Sequence, residues 1–225
     1  MRFADTKDSL VYIHIGKCGG ASLWQAIQDS DQLRTQFNKF VRVHVTKPPI
    51  LKKARYIIVI RNPIKRAISA FNWRYKLVVN EGEQKNRYPG EYAILRKYTT
   101  LNNLAENLYV DGELDPTVAQ EFRKIHHFKQ DISFYLNDLL KVVRKEQIHY
   151  VLATETLNED AEKLLGVTQM AKEHEHANKV ADANKNLSDL AYANLKRFLT
   201  DDYRAIETLL DLNSSTATSK NVLLK

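Results

Sequence analysis

Three short apolar runs stand out from an otherwise mixed chain. They are Leu10–Ile15 (Leu-Val-Tyr-Ile-His-Ile), Arg55–Ile60 (Arg-Tyr-Ile-Ile-Val-Ile) and Ile148–Leu152 (Ile-His-Tyr-Val-Leu). Their length and their β-branched and aromatic content predict strands, and the near-continuous run at 55–60 predicts one covered on both faces. Phe40–Val45 alternates as a half-covered strand should and stops before Pro48-Pro49. Between the runs the apolar spacing is helical. One helix is expected from Ser22, with Leu23, Trp24 and Ile27 on one side. Another is expected from Asn62-Pro63 to about Val79, turning Ile64, Ala67, Ile68, Phe71 and Tyr75 inward. Val118 to Val143 keeps the spacing through Phe122, Ile125, Ile132, Leu136 and Leu139. Thr156-Leu-Asn-Glu159 has the pattern of a capping box, opening a helix that Gly166 ends. A helical pair closes the pattern at Ser188–Leu199 and Asp201–Leu212.

Strands alternating with helices predict an α/β fold, P-loop-like and three-layered, with a central, mainly parallel sheet flanked by helices. Residues 80–117 break the rhythm with a polar loop, weak helical spacing and the turn signals Asp111-Gly112 and Asp115-Pro116. They read as an excursion from a single domain spanning 1–212, and 213–225 as a loose tail. Ala171–Asn186 is polar, rich in Lys, His and Asn, and has no apolar period.

Composition narrows the function classes. In 225 residues there is one cysteine, Cys18, which excludes an internal disulfide and a cysteine-based zinc site. The single cysteine, with the absence of an apolar leader in the first residues, makes the cytoplasm the expected setting. No apolar run reaches membrane-spanning length, so no membrane partner is expected. A net charge of +7 calls for an anionic partner without choosing among nucleic acid, a phosphorylated cofactor and an acidic glycan.

The candidate chemistry lies where predicted strands end, the place ligands occupy in open α/β sheets. After the first strand, Gly16-Lys17-Cys18-Gly19-Gly20-Ala21-Ser22 makes a glycine-rich turn carrying a lysine and leading into a helix N-terminus. Backbone N–H groups and the helix dipole there form an anion cradle, although the same residues also suit a plain strand-to-helix connection. The Walker pattern is absent: Val11 stands where its first glycine belongs, and Cys18 where the Mg²⁺-binding hydroxyl belongs. A P-loop-related kinase is therefore disfavoured, since transfer from ATP needs metal to manage charge. After the third strand, Arg61 and, two helical turns on, Ser69 supply a forked cation and a hydroxyl for a phosphate.

In this order, the two motifs resemble those of sulfotransferases that use 3′-phosphoadenosine-5′-phosphosulfate (PAPS), most closely the carbohydrate branch. The branch's loop reads His-Ile-Pro-Lys-Thr-Gly-Gly-Thr-Ser; here it is His14-Ile-Gly-Lys-Cys-Gly-Gly-Ala-Ser22. The 3′-phosphate pattern is present as Arg61, Pro63, Arg66, Ser69 and Phe71. Gly16, Cys18 and Ala21 depart from the family loop.

The resemblance implies a PAPS donor, adenosine 3′,5′-bisphosphate as product, and no metal. It implies Lys17 on the leaving group, residues 18–22 (Cys18, Gly19, Gly20, Ala21, Ser22) around the 5′-phosphosulfate, and Arg61 with Ser69 on the 3′-phosphate. The acceptor is expected to be a hydroxyl, of a carbohydrate, and not a nucleic acid. His44, at the end of the second strand, is the first choice of general base, with His126 and His127 as alternatives; His14 is expected to pack. Trp73, Tyr75, Tyr88 and Tyr92 are equally suited to an acceptor platform or to core packing. His174, His176, Lys179 and Lys185 read first as solvated surface. The competing class is a non-catalytic module that binds a phosphorylated nucleotide or an acidic polymer.

Overall fold

The computed structural model describes residues 9–166, 186–213 and 220–224. His174, His176, Lys179 and Lys185 lie outside them. The chain forms two compact units. The first takes in Met1–Asn62, Ile132–Glu175 and Tyr203–Lys225, and the second Pro63–Asp131 and His176–Asp202. The excursion at 80–117 falls wholly within the second.

The first unit is built on a four-stranded, all-parallel sheet in the order β2-β1-β3-β6. Its strands are β1 (Ser9–His14), β2 (Lys39–Val43), β3 (Arg55–Ile60) and β6 (Ile148–Ala153). All of β1 is buried, as is β3 after Arg55, as parallel strands covered on both faces require. The edge strand β2 is more open. Helices α1 (Gly20–Asp29), α2 (Asp31–Gln36), α7 (Ile132–Leu140) and α8 (Leu157–Leu165) belong to this unit, with most of α10 (Thr200–Leu212). They bury Leu23, Ile27, Leu136, Ala161, Ile206 and Leu209 against the strands in one core. The expected α/β architecture is therefore present. Within the tail expected to be loose, Lys220–Leu224 forms a short helix, α11, whose Leu223 is buried in that core.

The second unit holds α3 (Pro63–Tyr75), which runs on as a π-helical turn at Lys76–Asn80, then α4 (Glu91–Tyr98) and α5 (Leu101–Glu106). A small hairpin follows, β4 (Tyr109–Val110) with β5 (Glu113–Leu114), then α6 (Pro116–Lys124) and, later, α9 (Asp189–Phe198). Asp111 and Gly112 both have positive φ, as a two-residue hairpin turn matching strand twist demands. Among the described residues no helix is long and apolar enough to cross a membrane.

Two local expectations are corrected. The apolar spacing from Val118 to Val143 is not one helix but α6 and α7, parted at Ile125–Asp131. The buried Arg66 guanidinium donates to the carbonyls of His127 (2.9 Å) and Gln130 (2.7 Å), and His127 turns left-handed at φ 75°. A cation that satisfies these carbonyls stabilises a break that periodicity alone would bridge. The capping box at Thr156 is also absent, because the Thr156 hydroxyl donates to Asp160 (2.8 Å), which also accepts the Ala153 N–H.

The polar loop expected at 80–90 is tied down by a buried ion pair. Arg74 donates from Nε and Nη2 to both oxygens of Glu91 (2.9 and 2.8 Å), with each side chain about fully buried. Gln84 accepts from Arg74, Glu91 accepts the His126 N–H, and Tyr88 stacks on His126 at 4.3 Å. Removing one partner strands the other charge in the interior. Arg74→Ala is therefore expected to destabilise the protein by about 3–5 kcal/mol, with Arg74→Met/Glu91→Leu recovering most of it. Urea denaturation followed by circular dichroism measures both, and equal midpoints for parent and Arg74→Ala would contradict the reading.

Candidate active site

Because the sheet is parallel, the carboxyl ends of all four strands share one edge. The chain leaving β1 returns to β2 on one flank, and the chain leaving β3 returns to β6 on the other. The crevice between the ends of β1 and β3 is therefore the topological switch point. The Lys17 loop and Arg61 border it.

The loop begins with a tight turn in which the Cys18 N–H donates to the Ile15 carbonyl (3.2 Å). Lys17 sits in that turn at φ 71°, a left-handed conformation costing a side-chain-bearing residue about 1–2 kcal/mol. Gly19 follows at φ 73° and caps α1. Gly20 is required for a different reason. A Cβ there would collide with the His14 ring and lie 2.6 Å from the Tyr12 hydroxyl. The helix is thus seated directly on two side chains of β1, and Tyr12 donates its hydroxyl to the Gly20 carbonyl (3.0 Å). Seating α1 this low makes it begin at Gly20, two residues earlier than its apolar spacing suggests. Ala21 and Ser22 lie in its first turn, and only their backbone is described. Their N–H groups are among the orphan donors of a helix N-terminus, where an anion is favoured. Cys18 is buried.

Arg61, just past β3, donates from Nη1 to the Lys17 carbonyl (3.2 Å). Its Nε is buried without a hydrogen bond. The two strand-end motifs are thus physically joined. Beside Arg61, Thr154 donates to the Ile60 carbonyl (3.0 Å) and Glu155 accepts the Asn62 N–H (3.3 Å). Ser69 lies half-buried on α3, in the second unit.

His44 follows β2 directly. Its Nδ1 contacts the His14 carbonyl at 3.1 Å, and a carbonyl only accepts, so Nδ1 carries the proton. In the neutral ring that leaves Nε2 with its lone pair, the form a base needs. The Tyr135 hydroxyl donates to the His44 carbonyl, and the His44 ring stacks on His14 at 4.3 Å. His14 packs as expected, between Tyr12 and His44. Its Nδ1 accepts from Arg42 (2.8 Å), since a guanidinium only donates. Burial first, then His44 and Arg42, push its pKa down to about 3, so it stays neutral. Burial likewise holds Tyr12 protonated by raising its pKa.

The alternative histidines occupy other roles. His126 stacks on Tyr88, with Nε2 at 3.4 Å from its hydroxyl, and His127 occupies the left-handed break after α6. Arg66, part of the second motif, is buried against carbonyls of its own unit. Of the four candidate platform aromatics, Tyr88 lies under Arg74 and Arg87, Trp73 under Lys76 and Tyr92 under Lys85, while Tyr75 stacks on Phe71. Sequence reasoning missed Tyr135 and Arg42, neither of which sits in a motif.

The chain belongs to the sulfotransferase family, whose model matches residues 2–215. No curated protein gives a significant match. No solved structure does either. Membership assigns sulfuryl transfer as the chemistry.

The buried histidines set the response to acid. His14 takes up a proton below 6.5 when unfolded but only near 3 when folded, and His149 behaves alike, lowered to about 4 by burial and Arg55. Unfolding therefore binds protons in that window, and stability falls as pH drops from 6.5, by about 1.4 kcal/mol per unit for a fully coupled group. Urea midpoints are expected to fall from pH 6.5 to 4.5, and less steeply in His149→Gln. A flat profile would refute the neutral assignment.

Proposed function

We propose that the protein transfers a sulfuryl group from PAPS to a hydroxyl of a carbohydrate acceptor, in a reducing, cytoplasmic setting. The observation that carries the donor assignment is the bond from Arg61 to the Lys17 carbonyl, which joins the two phosphate motifs at the switch point. The cradle fits an anion: a helix N-terminus, a turn with left-handed residues at 17 and 19, and a bare Cα at Gly20. PAPS, when bound, supplies the sulfuryl group on a phosphate leaving group.

The N–H groups of residues 19–22 hold the 5′-phosphosulfate, that of Cys18 being turned to the Ile15 carbonyl, and Lys17 places a cation on the oxygen that gains charge as transfer proceeds. Arg61 holds the 3′-phosphate; Ser69 is assigned to it on the motif alone. His44 takes the acceptor proton at Nε2, with its ring fixed through Nδ1–H on the His14 carbonyl. Tyr135 steadies the backbone that carries it. The carbohydrate class rests on the likeness of the 14–22 loop to that branch, and the cytoplasmic setting on the lone cysteine.

Adenosine 3′,5′-bisphosphate is expected to raise the melting temperature equally with and without Mg²⁺, and Arg61→Ala to abolish the rise. Stabilisation by ATP with Mg²⁺ alone would mark a kinase. Lys17→Ala is expected to lower sulfate transfer about 100-fold or more with the fold intact. His44→Asn is expected to lower kcat by about 100-fold or more at unchanged donor affinity. Donor binding without transfer to any of an array of glycans would favour the non-catalytic module.

A further inference from the structure

Asn62 sits between Arg61 and the first residue of α3, and it is 3% exposed. Its backbone N–H and its side-chain amide both donate within the first unit. The backbone N–H goes to Glu155, and the side-chain Nδ2 donates to the carbonyl of Leu223 (3.0 Å). Leu223 belongs to α11, more than 150 residues away along the chain, and its side chain is fully buried in the sheet's core. One turn of C-terminal helix is thus anchored by a leucine and presents a main-chain oxygen to the residue that follows Arg61. A carbonyl at the end of a short helix has no intrahelical donor, so the Asn62 amide satisfies it. The Thr154 hydroxyl fastens the preceding carbonyl, that of Ile60. The backbone on either side of Arg61 is therefore pinned, and the pin on its C-terminal side comes from α11.

We infer that Asn62 is a positioning residue for the 3′-phosphate contact of Arg61, and that α11 is the clamp that sets it. The inference rests on the donor reading above. It assigns a role to a segment outside both phosphate motifs: docking of α11 controls discrimination for the 3′-phosphate, not the 5′-phosphosulfate cradle. The cradle touches Arg61 at the Lys17 carbonyl, but the seat of α1, with Gly20 on Tyr12 and His14, uses neither Asn62 nor α11.

The test compares affinities for adenosine 3′,5′-bisphosphate and adenosine 5′-monophosphate by calorimetry, in the full chain and in Leu223→Asp, Leu223→Met and Asn62→Ala. A charge-assisted contact to phosphate is among the stronger hydrogen bonds, and weakening one by about 1.4 kcal/mol is tenfold in affinity. Leu223→Asp and Asn62→Ala are each expected to weaken the bisphosphate about 10-fold while changing the monophosphate by less than about 2-fold. Leu223→Met, which keeps an apolar anchor, is expected to retain the parent's preference. A parallel loss for both nucleotides would mean that Asn62 and α11 serve stability only and would overturn the inference. So would an unchanged preference in both disruptive variants. Should the parent itself show no preference for the bisphosphate, the donor reading falls, and the clamp with it.

Discussion

The bare Cα of Gly20 is the constraint on which the loop between β1 and α1 depends. With no side chain there, α1 descends until its first turn rests on Tyr12 and His14 of the central strand. The chain has then to climb from β1 to that helix in the five residues 15–19. It manages this by turning left-handed at Lys17 and Gly19. The turn presents the Lys17 carbonyl to Arg61, so a strained lysine and a hydrogen-bonded arginine are consequences of one close approach. The strain at Lys17 is of the kind folds retain where a side chain has to be aimed.

That seating also fixes the protonation states beneath the loop. His14, closed in by Tyr12, Gly20, His44 and Arg42, stays neutral with its proton on Nε2, because Arg42 claims Nδ1. A charged imidazole there would stand against Arg42. A neutral one offers His44 a flat surface, and its own backbone carbonyl orients the ring. His14 thus supports the His44 ring with two separate parts of one residue. A second protonatable ring packed there carries no charge of its own through the working pH range.

Much of this was legible in sequence, but unevenly. β3 was predicted to the residue, because a strand buried on both faces has no polar positions to blur its ends. The loop and Arg61 stand out in the sequence because glycine, lysine and a strand-terminal arginine are rare together, and the structure joins them by one hydrogen bond. The reason for Gly20 was not legible: the Gly19-Gly20 pair looked like permission to turn, whereas only Gly19 turns and Gly20 avoids a collision. His44 was chosen by its place after a strand, but the contact that orients its ring, the His14 carbonyl, lies 30 residues away. The break between α6 and α7 was hidden because its cause, Arg66, lies in another element.

The arginines show why charge by itself is a poor guide to a site in this chain. Arg61, Arg66 and Arg74 fall within 14 residues of one another, and a net charge of +7 invites reading each as a hand for an anion. Arg74 is neutralised by Glu91, and Arg66 donates to two backbone carbonyls in the interior. Both are buried because planar, multidonor guanidinium can satisfy several acceptors at once, where a lysine in the same place would leave some unpaired. Arg61 differs in place as well as in partner. It alone of the three follows a strand directly, and its bond is to the loop that would share its ligand, while its Nε remains without one. A cation fastened to the β1–α1 loop through one nitrogen is held there by geometry that the net charge of +7 does not reveal.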